Sequence, residues 1–316
     1  MIRHGGTIVW SASDLTGAAA CEYEFLRVLD RKLGRAQPIQ VEADPLQDEI
    51  AKIGLAHEAA VVEQFRKTLN VIEMPKADSV TAADLNTMAA ATLAALDQAP
   101  DVVVQAGFFD GEFLGYADFL RRTEAGWVVA DTKIARHANT SALLQIAAYA
   151  DQLECAGLPI APTAELILGT GEVQSFPLVD LLPVFRERRD RLRVLIAEHT
   201  AGEAAAAWDT DGIRACGSCA DCSLAIDEAQ DLMLVANLRR TQRRTLKDAG
   251  IHTVADLAQA TIVPVGMAAG TLATLHAPRS GRSPAHPAGN RQGQSRGAQP
   301  PGARGAAGTV RRRPVL

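Results

Sequence analysis

Two apolar segments, residues 113–121 and 127–133, flank the short turn sequence TEAG at residues 123–126. Segments of this kind on either side of a glycine-containing break predict a β-hairpin. If the two middle residues of the turn form the loop, the pairing of the two strands is fixed. Asp118 then lies directly opposite Asp131. The hairpin therefore brings two carboxylates together in an otherwise apolar part of the chain.

The charges on this hairpin need an explanation. Opposed side chains of a hairpin lie on one face with Cβ atoms about 5 Å apart, and like charges there are destabilising. Lys133, two residues after Asp131, points to the same face. Two carboxylates and an amine are suited to hold Mg²⁺ and to stabilise charge on a phosphate. The alternative is a solvent-exposed face on which Lys133 neutralises two surface aspartates, or a register slipped by one residue.

Length and composition set broad limits on the class of protein. The chain has 316 residues, of which 47% are hydrophobic and 22% charged, which is typical of a soluble globular protein with a substantial core. It has no secretory signal pattern and no apolar run long enough to span a bilayer. We therefore expect a cytoplasmic protein without a membrane partner, whose five cysteines do not form disulfides.

Charge is distributed unevenly along the chain. Residues 278–316 contain eight arginines, seven glycines, six prolines and no acidic residue. We expect this segment to be disordered, and its composition also suits truncation or a frameshift of a longer protein after about residue 277. The first 277 residues hold all 37 acidic residues and only 24 basic ones. A protein of this composition that binds nucleic acid would therefore have to place its basic residues locally.

Helix-period patterns place further candidate residues. Ser11 and Asp14 predict the start of a helix that runs through Cys21 to about residue 33. A second helix, residues 46–69, carries His57 on its apolar side, either as a metal ligand or as an ordinary core histidine. A third begins at residues 138–141. On it, four residues apart, Gln145 and Tyr149 share one face, either to reach a substrate or as the edge of a packed helix.

Two stretches of the C-terminal half could contact nucleic acid. The arginine-rich run at residues 186–191 could face a phosphate backbone, although a solvated helix face also explains it. After a helix expected at residues 227–249, residues 246–257 resemble the helix–hairpin–helix modules of DNA-repair proteins. In those modules, hairpin amides contact phosphate. A plain helical corner is the alternative.

Three cysteines follow each other at regular spacing, Cys216, Cys219 and Cys222. A C-x₂-C-x₂-C run indicates metal binding by thiolates, and the spacing matches the start of a bacterial iron–sulfur run. Zinc is the alternative, although zinc sites more often show two separate C-x₂-C pairs. A fourth ligand is needed, and Cys21 and Cys155 are the remaining cysteines.

Taken together, these motifs resemble the RecB-like branch of the PD-(D/E)xK nucleases. The resemblance rests on the order of a histidine, a Gly-x-x-Asp, an Asp-x-Lys and a Gln-x₃-Tyr motif. One cysteine before and three after this core make the chain similar to the iron–sulfur exonucleases of recombination and of CRISPR adaptation. The last two cysteines are closer together here than is common in those proteins. The resemblance covers residues 8 to about 270.

The resemblance implies an α/β fold with a PD-(D/E)xK restriction-endonuclease-like core, in which helices flank a mixed central sheet and a helical C-terminal segment follows. It implies a nuclease domain at residues 1–200 and a cysteine and helix–hairpin–helix-like segment at 201–277. The implied ligands of Mg²⁺ or Mn²⁺ are His57, Asp118, Asp131 and the Thr132 carbonyl. The implied catalytic and DNA-orienting residues are Lys133, Gln145 and Tyr149. The implied ligands of a structural 4Fe–4S cluster are Cys21, Cys216, Cys219 and Cys222.

The function implied is a metal-dependent DNA exonuclease or endonuclease of repair or recombination. Its substrates would be single-stranded DNA or duplex ends, and a helicase domain or subunit would be its partner. Two alternatives remain. One is a non-catalytic DNA-binding or scaffold subunit of a helicase–nuclease complex. The other is an iron–sulfur or zinc protein whose Asp–Asp–Lys patch is coincidental.

Overall fold

A computed structural model of the chain describes residues 1–4, 6–39 and 45–276, so the disorder expected for residues 278–316 lies outside it. The strands are β1 Ile2–His4, β2 Thr7–Val9, β3 Val71–Glu73, β4 Val102–Phe109, β5 Leu114–Thr123, β6 Gly126–Lys133, β7 Thr163–Leu168 and β8 Val173–Pro177. The helices are α1 Ala12–Ala20, α2 Glu22–Leu33, α3 Pro45–Arg66, α4 Ala82–Asp97, α5 Thr140–Cys155, α6 Leu178–Ala201, α7 Ala220–Glu228, α8 Arg240–Asp248, α9 Val254–Gln259 and α10 Ala269–His276. Residues Met1–Leu275 form one compact unit.

The centre of this unit is a six-stranded mixed sheet in the order β3-β4-β5-β6-β7-β8. The strands from β4 to β6 form an antiparallel meander, and β3 and β7 run parallel to their inner neighbours. Helix α5 makes the crossover between the parallel strands β6 and β7, which cannot be joined by a tight turn. The expectation of a mixed sheet flanked by helices is confirmed at this level.

Apolar side chains cover the sheet on both faces. On one face, Val62 of α3 packs against strand residues; we call this group the α3-side cluster, and its buried members are Val62, Val102, Val104, Phe119, Ala130 and Ile167. On the other face, α1, α2, α5 and α6 pack in a larger group, the α5-side cluster. Loss of a fully buried ring such as Phe119 costs about 3–5 kcal/mol, so both clusters contribute to holding the hairpin in place.

Side-chain caps begin the helices where the sequence predicts them. Ser11 accepts a hydrogen bond from the Asp14 amide, and the Asp14 side chain returns one to the Ser11 amide. Asn139 caps α5 through the Ala142 amide. Such a cap is worth about 1 kcal/mol.

The helix predicted to run through Cys21 is wrong. Cys21 has an extended backbone (φ −153°, ψ 104°) that ends α1, and its thiol accepts the Glu24 amide to begin α2. The break places the buried Cys21 sulfur against Cys222. The helix predicted at residues 227–249 is also wrong. The chain turns between α7 and α8 around Asp231, which is buried and bound by Arg243.

Three arginines of the 186–191 run pair with buried acidic residues of other helices. Arg186 and Arg189 of α6 each bind the buried Asp151 of α5 at 2.7 Å. Arg191 makes two hydrogen bonds to the buried Glu22 of α2, at 2.9 and 3.0 Å. Breaking a buried ion pair typically costs about 3–5 kcal/mol. These arginines therefore hold α6 to α5 and α2.

None of the helices in the described ranges combines the length and apolar character needed to cross a membrane.

Candidate functional site

The hairpin formed by β5 and β6 has the register that the sequence predicts. Phe119 faces Ala130 and Thr123 faces Gly126, so the loop contains two residues. Gly126 has a φ of +116°, and a Cβ there would lie 2.6 Å from the Pro159 carbonyl oxygen, so the turn requires glycine. The two aspartates that adjoin the Phe119–Ala130 pair are thereby brought to the same end of the hairpin.

Asp118 is held by the strand beside it. Its Oδ2 atom accepts hydrogen bonds from the Thr132 amide at 3.0 Å and from the Thr132 hydroxyl at 3.1 Å. No hydrogen bond to its Oδ1 is seen among the described residues. Thr132 thus orients Asp118, a role that is additional to the carbonyl ligand implied by the resemblance.

Asp131 lies deeper than the surface interpretation requires. It is only 1% exposed, and its two carboxylate oxygens are the only buried side-chain polar atoms without a hydrogen-bond partner among the described residues. The Lys133 ammonium lies 2.5 Å from Oδ2 and forms an ion pair with Asp131. Burial, and then the charge of Asp118, raise the pKa of Asp131 to about 8. The alternative of a solvent-exposed aspartate face is therefore wrong for Asp131.

Lys133 connects the hairpin to α5. Its Nζ donates a hydrogen bond to Gln145 Oε1 at 3.1 Å. One turn further along, Tyr149 is buried, and burial raises the pKa of its phenol to about 12 while the nearby Gln145 side chain acts in the opposite direction. A Cβ on Gly115 would lie 2.6 Å from the Tyr149 ring, so glycine permits this close approach. The Gln-x₃-Tyr pair therefore lies beside the Asp–Asp–Lys group.

A carboxylate that the sequence reasoning missed faces the same region. Glu58 of α3 accepts a hydrogen bond from the Gln105 side chain. Burial, and then the charge of Asp118, raise the pKa of Glu58. One signal was present in the sequence, because Gln105 is the only polar residue of the strand Val102–Phe109.

The alternation of side chains along β4 is broken at Gln105. Val104 packs in the α3-side cluster whereas Ala106, two residues later, packs in the α5-side cluster. Regular alternation would keep both on one face. Gln105 has a φ of +54°, a conformation that costs a non-glycine residue on the order of 1–3 kcal/mol. The pairs Val104–Phe119 and Ala106–Ala117 bracket Gln105 and Asp118. The backbone strain is therefore located at the candidate site.

His57 is half-buried on α3, and its Nε2 lies 3.4 Å from the Ile167 carbonyl oxygen. Within the part of the chain that the structure describes, only the cysteines form a group of three or more ligand atoms within 4.8 Å of one another. His57 and the two aspartates are therefore not drawn into an equally compact set. The role of His57 as a metal ligand stays a prediction.

The cysteine ligand set is brought together by the fold. The sulfurs of Cys21, Cys216, Cys219 and Cys222 all lie within 4.8 Å of one another, and we call this group the four-cysteine centre. Cys155 is exposed at the end of α5 and is not a member. The centre joins the start of α2 to the loop before α7 and to the first turn of α7, and its four close thiols could hold a metal.

The surroundings favour the charged form of one of the four thiols. Burial alone would raise the pKa of the Cys216 thiol, but hydrogen bonds from the Ser218 and Cys219 amides outweigh it and lower the pKa to about 6. Burial raises the pKa of the Cys219 thiol and raises that of Cys222 to about 11. The thiolate is the form that binds metals, so of these three thiols only Cys216 is favoured in that form without a metal.

The helix–hairpin–helix-like segment consists of α8, a turn at Gly250 (φ +81°) and α9. The amides of Gly250 and Ile251 bond to carbonyls of α8, and those of His252 and Thr253 bond to the Asp256 side chain. Amides that already have acceptors are not available to a phosphate. The hydrogen bonding supports the plain helical corner.

No protein-family model matches this chain, and a search of curated proteins finds no match either.

Proposed function

We propose that the chain is a Mg²⁺- or Mn²⁺-dependent DNA nuclease with a PD-(D/E)xK-type core. The observation that supports it most strongly is the Asp131 carboxylate, which is buried without hydrogen-bond partners beside Asp118 and Lys133. The Lys133 ammonium pairs with this carboxylate, but burial and the charge of Asp118 outweigh that pairing and keep the pKa of Asp131 raised. A cation between the two aspartates would offset both the burial and the repulsion.

The residues present suit such a cation. Asp131 offers two oxygens without hydrogen-bond partners, and Asp118 offers Oδ1, since Thr132 occupies Oδ2. The resemblance adds His57 and the Thr132 carbonyl as further ligands. When bound, the cation lowers the pKa of a water molecule and offsets charge on the scissile phosphate.

The neighbouring side chains of this chain would position the substrate. Lys133, held by Gln145, places a positive charge where negative charge develops on the phosphate. Tyr149, with its raised pKa, stays protonated at neutral pH and acts as a hydrogen-bond donor and not as a base. Gln145 and Tyr149 would together orient the strand, as the resemblance implies.

The substrates we propose are single-stranded DNA or duplex ends in repair or recombination, with a helicase domain or subunit as partner. The four-cysteine centre would be structural, because all four of its ligands come from the protein and leave no open position. The resemblance implies that a 4Fe–4S cluster links distant parts of the chain, and a zinc ion would link them equally well.

The direct test is cleavage of end-labelled single-stranded and duplex DNA by the purified chain with Mn²⁺, Mg²⁺ or EDTA. We expect cleavage with either cation and none in EDTA. Absence of cleavage of both substrates with both cations, in protein shown to be folded, would refute the proposal and favour a non-catalytic subunit.

Replacement of His57 by Ala is expected to weaken the apparent affinity for Mn²⁺ and to lower activity at limiting Mn²⁺. The reason is the loss of one neutral ligand while both aspartates remain. A titration of activity against Mn²⁺ measures this, with thermal unfolding recorded with and without the cation. An equal loss of stability in both conditions, with activity intact, would instead make His57 an ordinary core residue.

Replacement of Lys133 by Met is expected to lower kcat by about 10²–10³-fold, the usual effect of removing one group that stabilises transition-state charge. Apparent Mn²⁺ affinity should rise, because a positive charge 2.5 Å from Asp131 is removed. Single-turnover kinetics over a Mn²⁺ series separate the two effects. An unchanged kcat would exclude Lys133 from the chemistry.

A further inference from the structure

The four-cysteine centre is compact. The Cys21 sulfur lies 3.6 Å from that of Cys222 and 3.9 Å from that of Cys219, and the sulfurs of Cys216 and Cys222 are 3.8 Å apart. The largest separation among the four is within 4.8 Å. These distances can be compared with what each candidate metal group requires.

Three of the six sulfur–sulfur distances match a single tetrahedral ion, and the others are at most 4.8 Å. With metal–sulfur bonds of about 2.3 Å, tetrahedral geometry places neighbouring sulfurs about 3.8 Å apart. In a 4Fe–4S cluster each thiolate binds a different iron at a separate corner and points away from the cluster centre. The four cysteine sulfurs that bind such a cluster are therefore farther apart than the cluster is wide. The observed set does not fit the cluster that the resemblance implies.

The packing around the centre leads to the same conclusion. Cys21 and Cys222 are 1% and 0% exposed, and Tyr23, Ala225 and Ile226 pack with them. An inorganic core of four irons and four sulfides between these two sulfurs would have to push α2 away from α7. The ion pair of Arg31 with Asp221, at 2.7 Å, holds those two helices together beside the centre.

We propose that the four-cysteine centre binds one tetrahedral ion, zinc, and does not bind a 4Fe–4S cluster. The sequence favoured iron because it contains one C-x₂-C-x₂-C run, whereas zinc sites more often show two separate C-x₂-C pairs. In three dimensions the ligands form two pairs. Cys216 and Cys219 come from one loop, and the fold supplies Cys21 and Cys222 as the second pair. This inference is independent of the nuclease proposal, because the metal can be identified without any activity.

The test uses the full chain purified anaerobically from cells supplied with both iron and zinc. We expect one zinc per chain, no acid-labile sulfide and a colourless protein. Iron and sulfide in similar, near-stoichiometric amounts with a brown colour would overturn the proposal.

Two further measurements locate the ion. Protein freed of metal by a chelator should take up Co²⁺ with the visible bands of a tetrahedral thiolate site and release it to one equivalent of zinc; absence of those bands would overturn the assignment. Cys155→Ser, the matched control on an exposed cysteine, should keep its zinc whereas Cys222→Ser should lose it. Zinc retained in full by Cys222→Ser would also contradict the proposal.

Discussion

Replacement of Asp131 by Asn is expected to reduce DNA cleavage by at least about a thousandfold at saturating Mn²⁺. A cation bound at this site would supply several kcal/mol of charge stabilisation, and each ~1.4 kcal/mol is a tenfold change in rate. Asparagine keeps the shape of the side chain but removes the charged oxygen that the cation needs. End-labelled DNA and a Mn²⁺ titration measure the loss.

The same substitution should stabilise the metal-free protein at neutral pH. Burial and the charge of Asp118 raise the pKa of Asp131 from an ordinary 3.8 to about 8. A raised folded-state pKa means that the contribution of this group to stability is fully present below pH 4 and is lost as the pH rises towards 8. The Asn variant lacks this dependence, so its advantage in EDTA should grow with pH and reach on the order of a few kcal/mol.

Added Mn²⁺ should reverse the order, because only the wild-type protein gains stability from binding it. Thermal unfolding at several pH values, with EDTA or Mn²⁺, gives both results. Asp180→Asn, an exposed aspartate in the first turn of α6, is the matched control and should behave as wild type. Undiminished cleavage by the Asp131 variant would end its catalytic assignment, and destabilisation in EDTA would give Asp131 a structural role.

Replacement of Cys21 by Ser is expected to have the largest effect on stability. A metal in the four-cysteine centre would join Cys21 to ligands about 200 residues away in sequence, the separation from Cys222 being 201. By loop-closure entropy such a link contributes on the order of 5 kcal/mol. At about 2–4 °C per kcal/mol for a chain of this size, the midpoint of unfolding should fall by roughly 10–20 °C.

Thermal unfolding and limited proteolysis test this, with Cys155→Ser as the control that should match wild type. A zinc chelator acting on the wild-type protein should produce the same loss, which guards against a local packing effect of serine. The ion pairs of Glu22 with Arg191 and of Asp221 with Arg31 remain in both cases. A Cys21 variant no less stable than the Cys155 variant would show that the centre does not staple the chain.

Glu58 shows why part of the candidate site could not be predicted. The placement of Asp118 and Asp131 next to the Phe119–Ala130 pair follows from the two-residue loop, which is a local rule. Glu58 reaches the site only because α3 packs across the sheet and because Gln105, bracketed with Asp118 by the flanking strand pairs, adopts a left-handed backbone conformation. Neither feature has a periodic signature in the sequence.

The sequence by itself determined the hairpin register and the starts of α1 and α5, because turn length and capping residues act over a few neighbours. The mixed sheet was an expectation from the family resemblance. Only the tertiary structure decided that the α6 arginines bind Asp151 and Glu22, that Cys21 ends a helix, and that four sulfurs lie within 4.8 Å. Those features depend on contacts between residues up to about 200 positions apart. The periodic pattern of apolar residues carries no information about contacts over such distances. Tertiary packing alone brings these side chains together.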